Sequence, residues 1–274
     1  MKSTTRLFIL TVVLAMVLAG CGISPEDPIL VTRGSFATGN TTEPTTEPPA
    51  IEPTEPTTEP PTLPPEPIHS ELYIPDIDVE DVITYFNEVS LAAEYSDNGD
   101  PSVVQKWDEP IYYRIHGNAT AEDQIVFNNM VAWLGTVEGF PGMFPAPEDY
   151  MTNLEVYFCT AEELEARMGE NYVGSDGAVI YWYIDDRIYT ADICYSTDIG
   201  QYTRNSVILE EIYNGLGPVQ DTDLREDSLI YSGFSEPQWM TDIDELIMKL
   251  LYHPSIQPGM NAEECETIIR QLYY

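Results

Sequence analysis

Residues 41–67 form a tract of repeated Thr, Glu and Pro that limits how much of the chain can fold. The tract reads TTEPTTEPPAIEPTEPTTEPPTLPPEP and contains hardly any side chains that could build a core. Its prolines and mutually repelling glutamates favour an extended polyproline II conformation, which rises about 3.1 Å per residue. We therefore expect a disordered linker over residues 21–69, acting as a stalk, and one globular domain over residues 70–274.

The first twenty residues have the features of an export signal. Lys2 and Arg6 precede an apolar run, Leu7 to Leu18, which is too short for a comfortable membrane span. The LAGC sequence of residues 18–21 resembles the cleavage box of bacterial lipoproteins. The resemblance implies that Cys21 becomes a lipid-carrying N-terminus, which anchors the protein to the cell membrane on its extracytoplasmic side. A plain signal peptide with a chance cysteine is the alternative.

The charge of the chain excludes one class of partner. The sequence has 11 basic and 47 acidic residues and a formal net charge of −36. Residues 1–20 contain two of the basic residues and no acidic one, so the chain without them would carry −38. Such a surface repels phosphate backbones, and we expect no nucleic-acid partner.

Three cysteines remain besides Cys21, at Cys159, Cys194 and Cys265. One pair could form a disulfide outside the cell, and three ordinary buried thiols are the alternative. They show no CxxC spacing and the chain has only 3 histidines, so we expect no structural zinc cluster.

The hydrophobic pattern predicts alternating helices and strands. Helical periodicity predicts helices near 79–95, 120–137, 204–217, 240–252 and 261–272, and Thr160 with Glu163 opens a further short helix. Period-two alternation predicts strands at 110–117 and 154–160, and a hairpin of 177–186 with 187–197 joined at Asp185 and Asp186. This order describes an α+β domain with a mixed sheet built before its C-terminal helices.

Residues 208–221, ILEEIYNGLGPVQD, have the outline of a zinc-protease helix whose metal ligands are replaced. Metzincin proteases carry the pattern HExxHxxGxxH, in which three histidines bind zinc and the glutamate acts as general base. Laid on this pattern, the chain offers Glu210, Asn214 and Gln220 at the ligand positions, Glu211 at the base position and Gly217 at the glycine position.

Features downstream of this helix extend the resemblance. Asp221 falls where many metzincins have an aspartate, and SLIYS at residues 228–232 is similar to their methionine turn, with Ile230 in place of the methionine. Residues 240–252 resemble the helix that follows that turn. The resemblance implies a metzincin-like zincin fold over residues 70–274. The residues expected in its cleft are Glu210, Glu211, Asn214, Gly217, Gln220, Asp221 and Ile230.

The residue types at the ligand positions argue against zinc. One carboxylate and two neutral amides are a poor set for this ion, so we expect no metal and no cofactor. Glu211 is then the candidate catalytic residue, as a general base. Glu210 and Glu211 are adjacent on a helix and point about 100° apart, so they cannot share a proton as a catalytic dyad does. The alternative is that both are solvated or capping residues and that Gly217 caps the helix C-terminus.

Several further stretches carry a closer resemblance. They are YFNEVSLAAEYSD (85–97), KWDEPIYYRIHG (106–117), TADICYS (190–196), RNSVILEEIYNGLG (204–217), DSLIYSG (227–233) and LLYHPSIQPGMNAEE (250–264). Together they resemble domain of unknown function (DUF) family 2927, a bacterial family of exported proteins and lipoproteins. The family pattern of Glu-Glu, glutamine and Leu-Gly is matched by Glu210, Glu211, Leu216 and Gly217, whereas Asn214 replaces the glutamine. The resemblance implies a degenerate metzincin-like fold without an established activity.

Three functions are compatible with these features. The first is a non-catalytic lipoprotein that binds a peptide or protein between the sheet edge and the 204–217 helix. Metzincin substrates pair with an edge strand, and residues 187–197 are the expected edge here. The second is a zinc-independent envelope hydrolase, in which Glu211 is the base and Asn214 and Gln220, or a hard cation, position the water. The third is a passive wall-associated spacer.

Overall fold

The domain is built around a six-stranded sheet. The computed structural model describes residues 70–91 and 103–274. In chain order the elements are α1 (Val79–Leu91), β1 (Lys106–Trp107), β2 (Ile111–Gly117), α2 (Ala121–Leu134), β3 (Met143–Pro145), β4 (Leu154–Cys159), α3 (Ala161–Met168), a 3-10 turn (Glu170–Tyr172), β5 (Gly177–Ile184), β6 (Arg187–Ser196), α4 (Gln201–Asn214), α5 (Asp242–Tyr252) and α6 (Ala262–Tyr273).

The expected signal segment 1–20, the lipidated Cys21 and the linker 21–69 lie outside the described residues. Within the described ranges, each helix is too short or too polar to cross a membrane. Cys159, Cys194 and Cys265 are free thiols.

The sheet is mostly parallel. Its strand order is β1-β6-β4-β2-β3, and β5 pairs antiparallel with β6. The structure therefore confirms a mixed α/β domain, and the described residues contain six α-helices. β1 and β3 were not anticipated, because strands of two and three residues show no alternation that a sequence pattern could reveal.

The edge strand is β5, and the expectation that residues 187–197 form the edge is wrong. β4 pairs with β6 over Ala191 to Ser196, and β5 pairs with β6 over Arg187 to Tyr195, so both strands pair with Ala191 to Tyr195. The two strands must therefore lie on opposite sides of β6, which places β6 inside the sheet. The burial of the strands fits this arrangement, because β6 ends in four buried residues and β5 ends in three exposed ones.

The two faces of the sheet are covered unequally. Along β4, buried and half-buried residues alternate, and the buried ones, such as Val156, join the main core with the large helices. On the second face, α3 packs Leu164 and Met168 against Ala178 and Cys194. The short α3 covers only one end of this face, since Trp182 at the other end of β5 is 44% exposed.

Helix starts follow the predicted capping chemistry. Thr120 with Asp123 and Thr160 with Glu163 form the two expected capping boxes, in which each threonine accepts a backbone N–H and each acid returns the bond. Asp123 also accepts a hydrogen bond from Arg204 of α4 at 2.8 Å, and both side chains are buried. Burial would raise the pKa of Asp123, but the hydrogen bonds from Arg204, Gln201 and Thr120 together outweigh it and leave the pKa lowered. This pair fixes α4 against α2.

Candidate functional site

Glu211 of α4 lies against the first residue of the edge strand β5. A Cβ atom on Gly177 would come 2.4 Å from Val207 Cγ1 and 2.8 Å from both Cγ and Oε1 of Glu211. Real Cβ atoms do not approach other atoms this closely, so the absence of a side chain at Gly177 is what lets the strand and the helix touch. Glu211 is only 8% exposed. The structure thus places the expected catalytic residue at the junction of sheet edge and helix.

Tyr195 of β6 completes this junction. It is the cross-strand partner of Gly177, and its buried hydroxyl donates to the Ile208 carbonyl of α4 at 3.2 Å. Burial raises the pKa of Tyr195, and the negative charge of Glu211 raises it further. Tyr195 therefore stays a neutral donor that ties α4 to the sheet one turn before Glu211. The sequence analysis did not identify Tyr195, because a tyrosine in a strand pattern is typical of an ordinary core residue.

Glu210 and Asn214 share a helical face because they are four residues apart, and each is half-buried. The Oδ1 atom of Asn214 is buried and has no hydrogen-bond partner in the described part of the chain. Burying an amide oxygen without a partner costs about 1–3 kcal/mol. A bound group that donates a hydrogen bond would remove that cost.

Gly217 is needed for a reason other than the expected helix cap. α4 ends at Asn214, and its C-terminal cap is Gly215, whose N–H donates to the carbonyls of Glu211 and Tyr213. Gly217 lies two residues further on with φ of 129°, and a Cβ there would come 2.5 Å from the Gln105 carbonyl oxygen. Gly217 thus permits close contact between the end of α4 and the chain entering β1.

The remaining expected cleft residues belong to other parts of the domain. The backbone N–H of Gln220 donates to the Val89 carbonyl of α1 at 3.4 Å, and Asp221 follows it, half-buried. Ile230 is fully buried in the main core, where its carbonyl accepts from Thr222 at 2.9 Å. Ile230 thus contributes to the packing of the main core.

Asp244 organises the turn that contains Ile230, and sequence reasoning missed it. Its buried carboxylate accepts hydrogen bonds from Ser228 Oγ at 2.7 Å and from the Leu229 and Thr241 N–H groups at 3.0 and 2.9 Å. The hydrogen bond that the Thr241 N–H donates is one of the two bonds of a capping box at the start of α5. A threonine three residues before an aspartate at a helix start is the signal that could have revealed this residue.

The polar groups that α4 brings to this region are carboxylates and an amide. Among residues 70–91 and 103–274, no three His, Cys, Asp or Glu side chains converge as an ion site would need. The groups on α4 are instead a carboxylate at the sheet edge and an amide oxygen that lacks a donor. Both accept hydrogen bonds, so the arrangement can hold an N–H or O–H donor next to β5.

These features define a mixed α/β domain in which a buried helix holds a glutamate against the edge of a mostly parallel sheet. Residues 79–271 match the family model described as a protein of unknown function, DUF2927. The chain belongs to the DUF2927 family, as the sequence motifs predicted. No curated protein matches the chain.

Proposed function

We propose that this protein binds an extended segment of another polypeptide, which adds as a strand beside β5. Within the described residues, β5 forms a ladder only with β6. Its outer edge therefore presents backbone N–H and C=O groups at the regular spacing that an added strand requires. We therefore propose residues 177–184, and not residues 187–197, as the strand beside which a peptide would add.

The composition of β5 is the observation that carries the proposal. Its eight residues, GAVIYWYI, contain no charge and no proline. Natural edge strands normally carry such residues, or are very short, because an unprotected edge pairs with other chains. Trp182, Tyr183 and Ile184 are 44%, 39% and 63% exposed. In a chain with a net charge of −36, an uncharged apolar edge of this length is consistent with a binding surface.

The charges around the edge favour a neutral or basic partner. Glu210 and Glu211 lie on the helix next to β5, and Asp185 and Asp186 form the turn at its end. Both turn residues have positive φ, 50° and 62°, which is the geometry of a tight two-residue hairpin. An anionic segment would be repelled from both ends of the strand.

We also propose that the fold is metzincin-like. The features in its favour are an antiparallel edge strand, a helix with a glutamate held against that edge, and a buried turn at Ile230 followed by α5. We propose binding without turnover because amides stand at two of the three ligand positions. The hydrolase alternative, with Glu211 as base, predicts cleavage of the bound peptide that Glu211→Gln abolishes while folding is retained.

We further propose that a lipid on Cys21 anchors the protein to the outer side of the cell membrane and that residues 21–69 hold the domain away from it. The LAGC sequence and the Thr/Glu/Pro tract support this. Cells grown with an alkyne-tagged fatty acid should label the wild-type chain and not Cys21→Ala. Equal labelling of both chains would refute the anchor and leave the binding proposal untouched.

The binding proposal can be tested with a displayed library of random 12-residue peptides, selected on the purified mature chain. We expect the enriched peptides to have high β-strand propensity, with β-branched or aromatic residues at alternate positions. Their net charge should be neutral or positive. Selected peptides should stay intact during incubation.

Two neighbouring proline variants then locate the site. Along an edge strand, the backbone N–H groups of successive residues point alternately toward the partner strand and away from it. Proline has no N–H, so of Val179→Pro and Ile180→Pro one removes an N–H that points toward β6 and the other removes an N–H that points outward. The variant that removes only the outward N–H should keep its melting temperature and lose peptide binding, while the matched alanine variant still binds. Peptide binding that survives in both proline variants would contradict strand addition.

A further inference from the structure

A row of side chains crosses the second face of the sheet, on the end that α3 leaves open. Phe144 of β3 pairs with Tyr112 of β2, and Thr190 of β6 pairs with Trp182 of β5. The register of β2, β4 and β6 places Tyr112 and Thr190 in the same row. The row therefore has aromatic rings at both ends, four strand spacings or about 19 Å apart. Phe144 and Trp182 are 48% and 44% exposed.

A second row of side chains lies on the same face, two residues further along β2, β4 and β6, and its residues are charged. Arg114 of β2 pairs with Glu155 of β4, and Glu155 pairs with Asp192 of β6. All three are half-buried. Two carboxylates thus lie side by side on β4 and β6, the strands between the aromatic ends, about 7 Å along the strands from the first row.

The two carboxylates have different surroundings. Glu155 lies 2.5 Å from His116 Nε2 and also accepts a hydrogen bond from Thr152. Burial would raise the pKa of Glu155, but these hydrogen bonds outweigh it and leave the pKa lowered. Burial raises the pKa of Asp192, and the neighbouring Glu155 raises it further. In the described part of the chain the Asp192 carboxylate accepts no hydrogen bond, so its interactions are charge–charge only.

The aromatic end at β2 and β3 is held in place. The Tyr112 ring lies 4.6 Å from Tyr150 and 6.0 Å from Phe144, centroid to centroid. The loop that carries Tyr150 is fixed by Arg114, whose guanidinium donates to the carbonyls of Pro147 and Tyr150 at 3.1 and 3.0 Å. These rings therefore form a fixed surface rather than a set of independent side chains.

We propose that this face binds an uncharged glycan chain that runs across the strands. Sugar rings have apolar C–H faces that pack on aromatic rings, and hydroxyl groups around their rims that donate to carboxylates. Aromatic rings at both ends with carboxylates between them match that alternation. The half-buried Asp192 carboxylate could accept hydrogen bonds from such hydroxyl groups. The net charge of −36 disfavours anionic polymers, nucleic acids included.

This site borders the proposed peptide edge at Trp182, but the other residues of the glycan face, such as Phe144 and Asp192, lie away from that edge. A peptide added to β5 would use outward-facing backbone groups, whereas the glycan would use side chains on one face of the sheet. The two proposals can therefore fail separately.

The test is an array of uncharged oligosaccharides that includes cellohexaose and the N-acetylglucosamine hexamer, probed with the purified mature chain, with binding then measured by calorimetry. We expect at least one uncharged oligosaccharide to bind and polygalacturonate, an anionic control, not to bind. Trp182→Ala and Asp192→Asn should each weaken binding at least about tenfold. Tyr202→Ala, which removes a 59% exposed ring from α4, should change binding by less than about twofold.

Three results would overturn the proposal. They are binding of no uncharged oligosaccharide at millimolar concentration, binding that Tyr202→Ala weakens as much as Trp182→Ala does, and binding that survives in Asp192→Asn. Melting curves identify any variant that fails to fold, and Phe144→Ala then replaces Trp182→Ala at the other end of the row. Because Asp192→Asn leaves the outer edge of β5 intact, it should retain binding of the selected peptide.

Discussion

Replacing Gly177 by alanine should destabilise the domain by about 2 kcal/mol, because the new methyl group would overpack the contact between β5 and α4. It would lie 2.4 Å from Val207 Cγ1 and 2.8 Å from two atoms of Glu211, so the helix or the strand must shift. For a domain of this size, 2 kcal/mol corresponds to a fall in melting temperature of roughly 4–8 °C. Urea unfolding at neutral pH measures the free energy of unfolding directly.

Gly200→Ala is the matched control. Gly200 has φ of −62°, and a Cβ atom there would meet nothing within 4 Å. We expect this substitution at a helix N-cap to cost only about 0.5 kcal/mol. Comparable losses at Gly177 and Gly200 would show that α4 and β5 do not lie as close as the structure has them.

A double-mutant cycle sharpens the test. Val207→Ala should cost about 2 kcal/mol through lost packing, but in the double variant the methyl group added at position 177 occupies space that the valine vacates. The methyl group still meets Glu211 in the double variant, which should therefore lose about 3 kcal/mol rather than the sum of about 4 kcal/mol. Additive losses would refute a direct contact between Val207 and the start of β5, and with it the placement of Glu211 beside the sheet edge.

Three further substitutions test separate parts of the account. Asp244→Ala should lower the free energy of unfolding in urea by about 4 kcal/mol, because the buried donors lose their acceptor. The control Asp242→Ala, on the same helix, should lower it by about 0.5 kcal/mol. Equal losses would refute the buried network. Gly217→Ala should lower the free energy of unfolding by about 3 kcal/mol, because φ is 129° and the new Cβ atom would come 2.5 Å from a carbonyl oxygen. A loss below about 0.5 kcal/mol would argue against that close contact. Asp192→Asn should raise the melting temperature at pH 7. Because the pKa of Asp192 is raised in the folded state, its ionisation destabilises the domain as the pH rises from the unfolded value of 3.8 through the folded one, so the gain should vanish below pH 3.8. A gain that persists there would contradict a carboxylate that burial and Glu155 destabilise.

The sequence predicted those parts of the fold that depend on local chemistry. The capping boxes at Thr120 and Thr160, and the hairpin turn at Asp185 and Asp186, each depend on interactions between residues a few positions apart, and all were found as expected. The edge strand was wrong, because both strands of the hairpin show the same alternation. Which of them faces outward depends on the distant pairing of β6 with β4.

The sequence predicted the helix that carries the candidate site but not the residues that surround it. The spacing along residues 208–221 placed Glu211 on α4 correctly, but its contact with Gly177 joins residues 34 positions apart that no local pattern connects. Ile230 resembled a residue of the methionine turn, and the structure shows that it is fully buried in the main core. The aromatic row between Phe144 and Trp182 could not be found from sequence, because only the sheet order places those strands on one surface.

Amide hydrogen exchange of the mature chain, with and without a selected peptide, tests the central claim most directly. Strand addition predicts that alternate amides of residues 177–184, those directed away from β6, become protected when the peptide binds, while the amides bonded to β6 change little. Protection confined to other elements, with the exchange of β5 unchanged at saturating peptide, would contradict it.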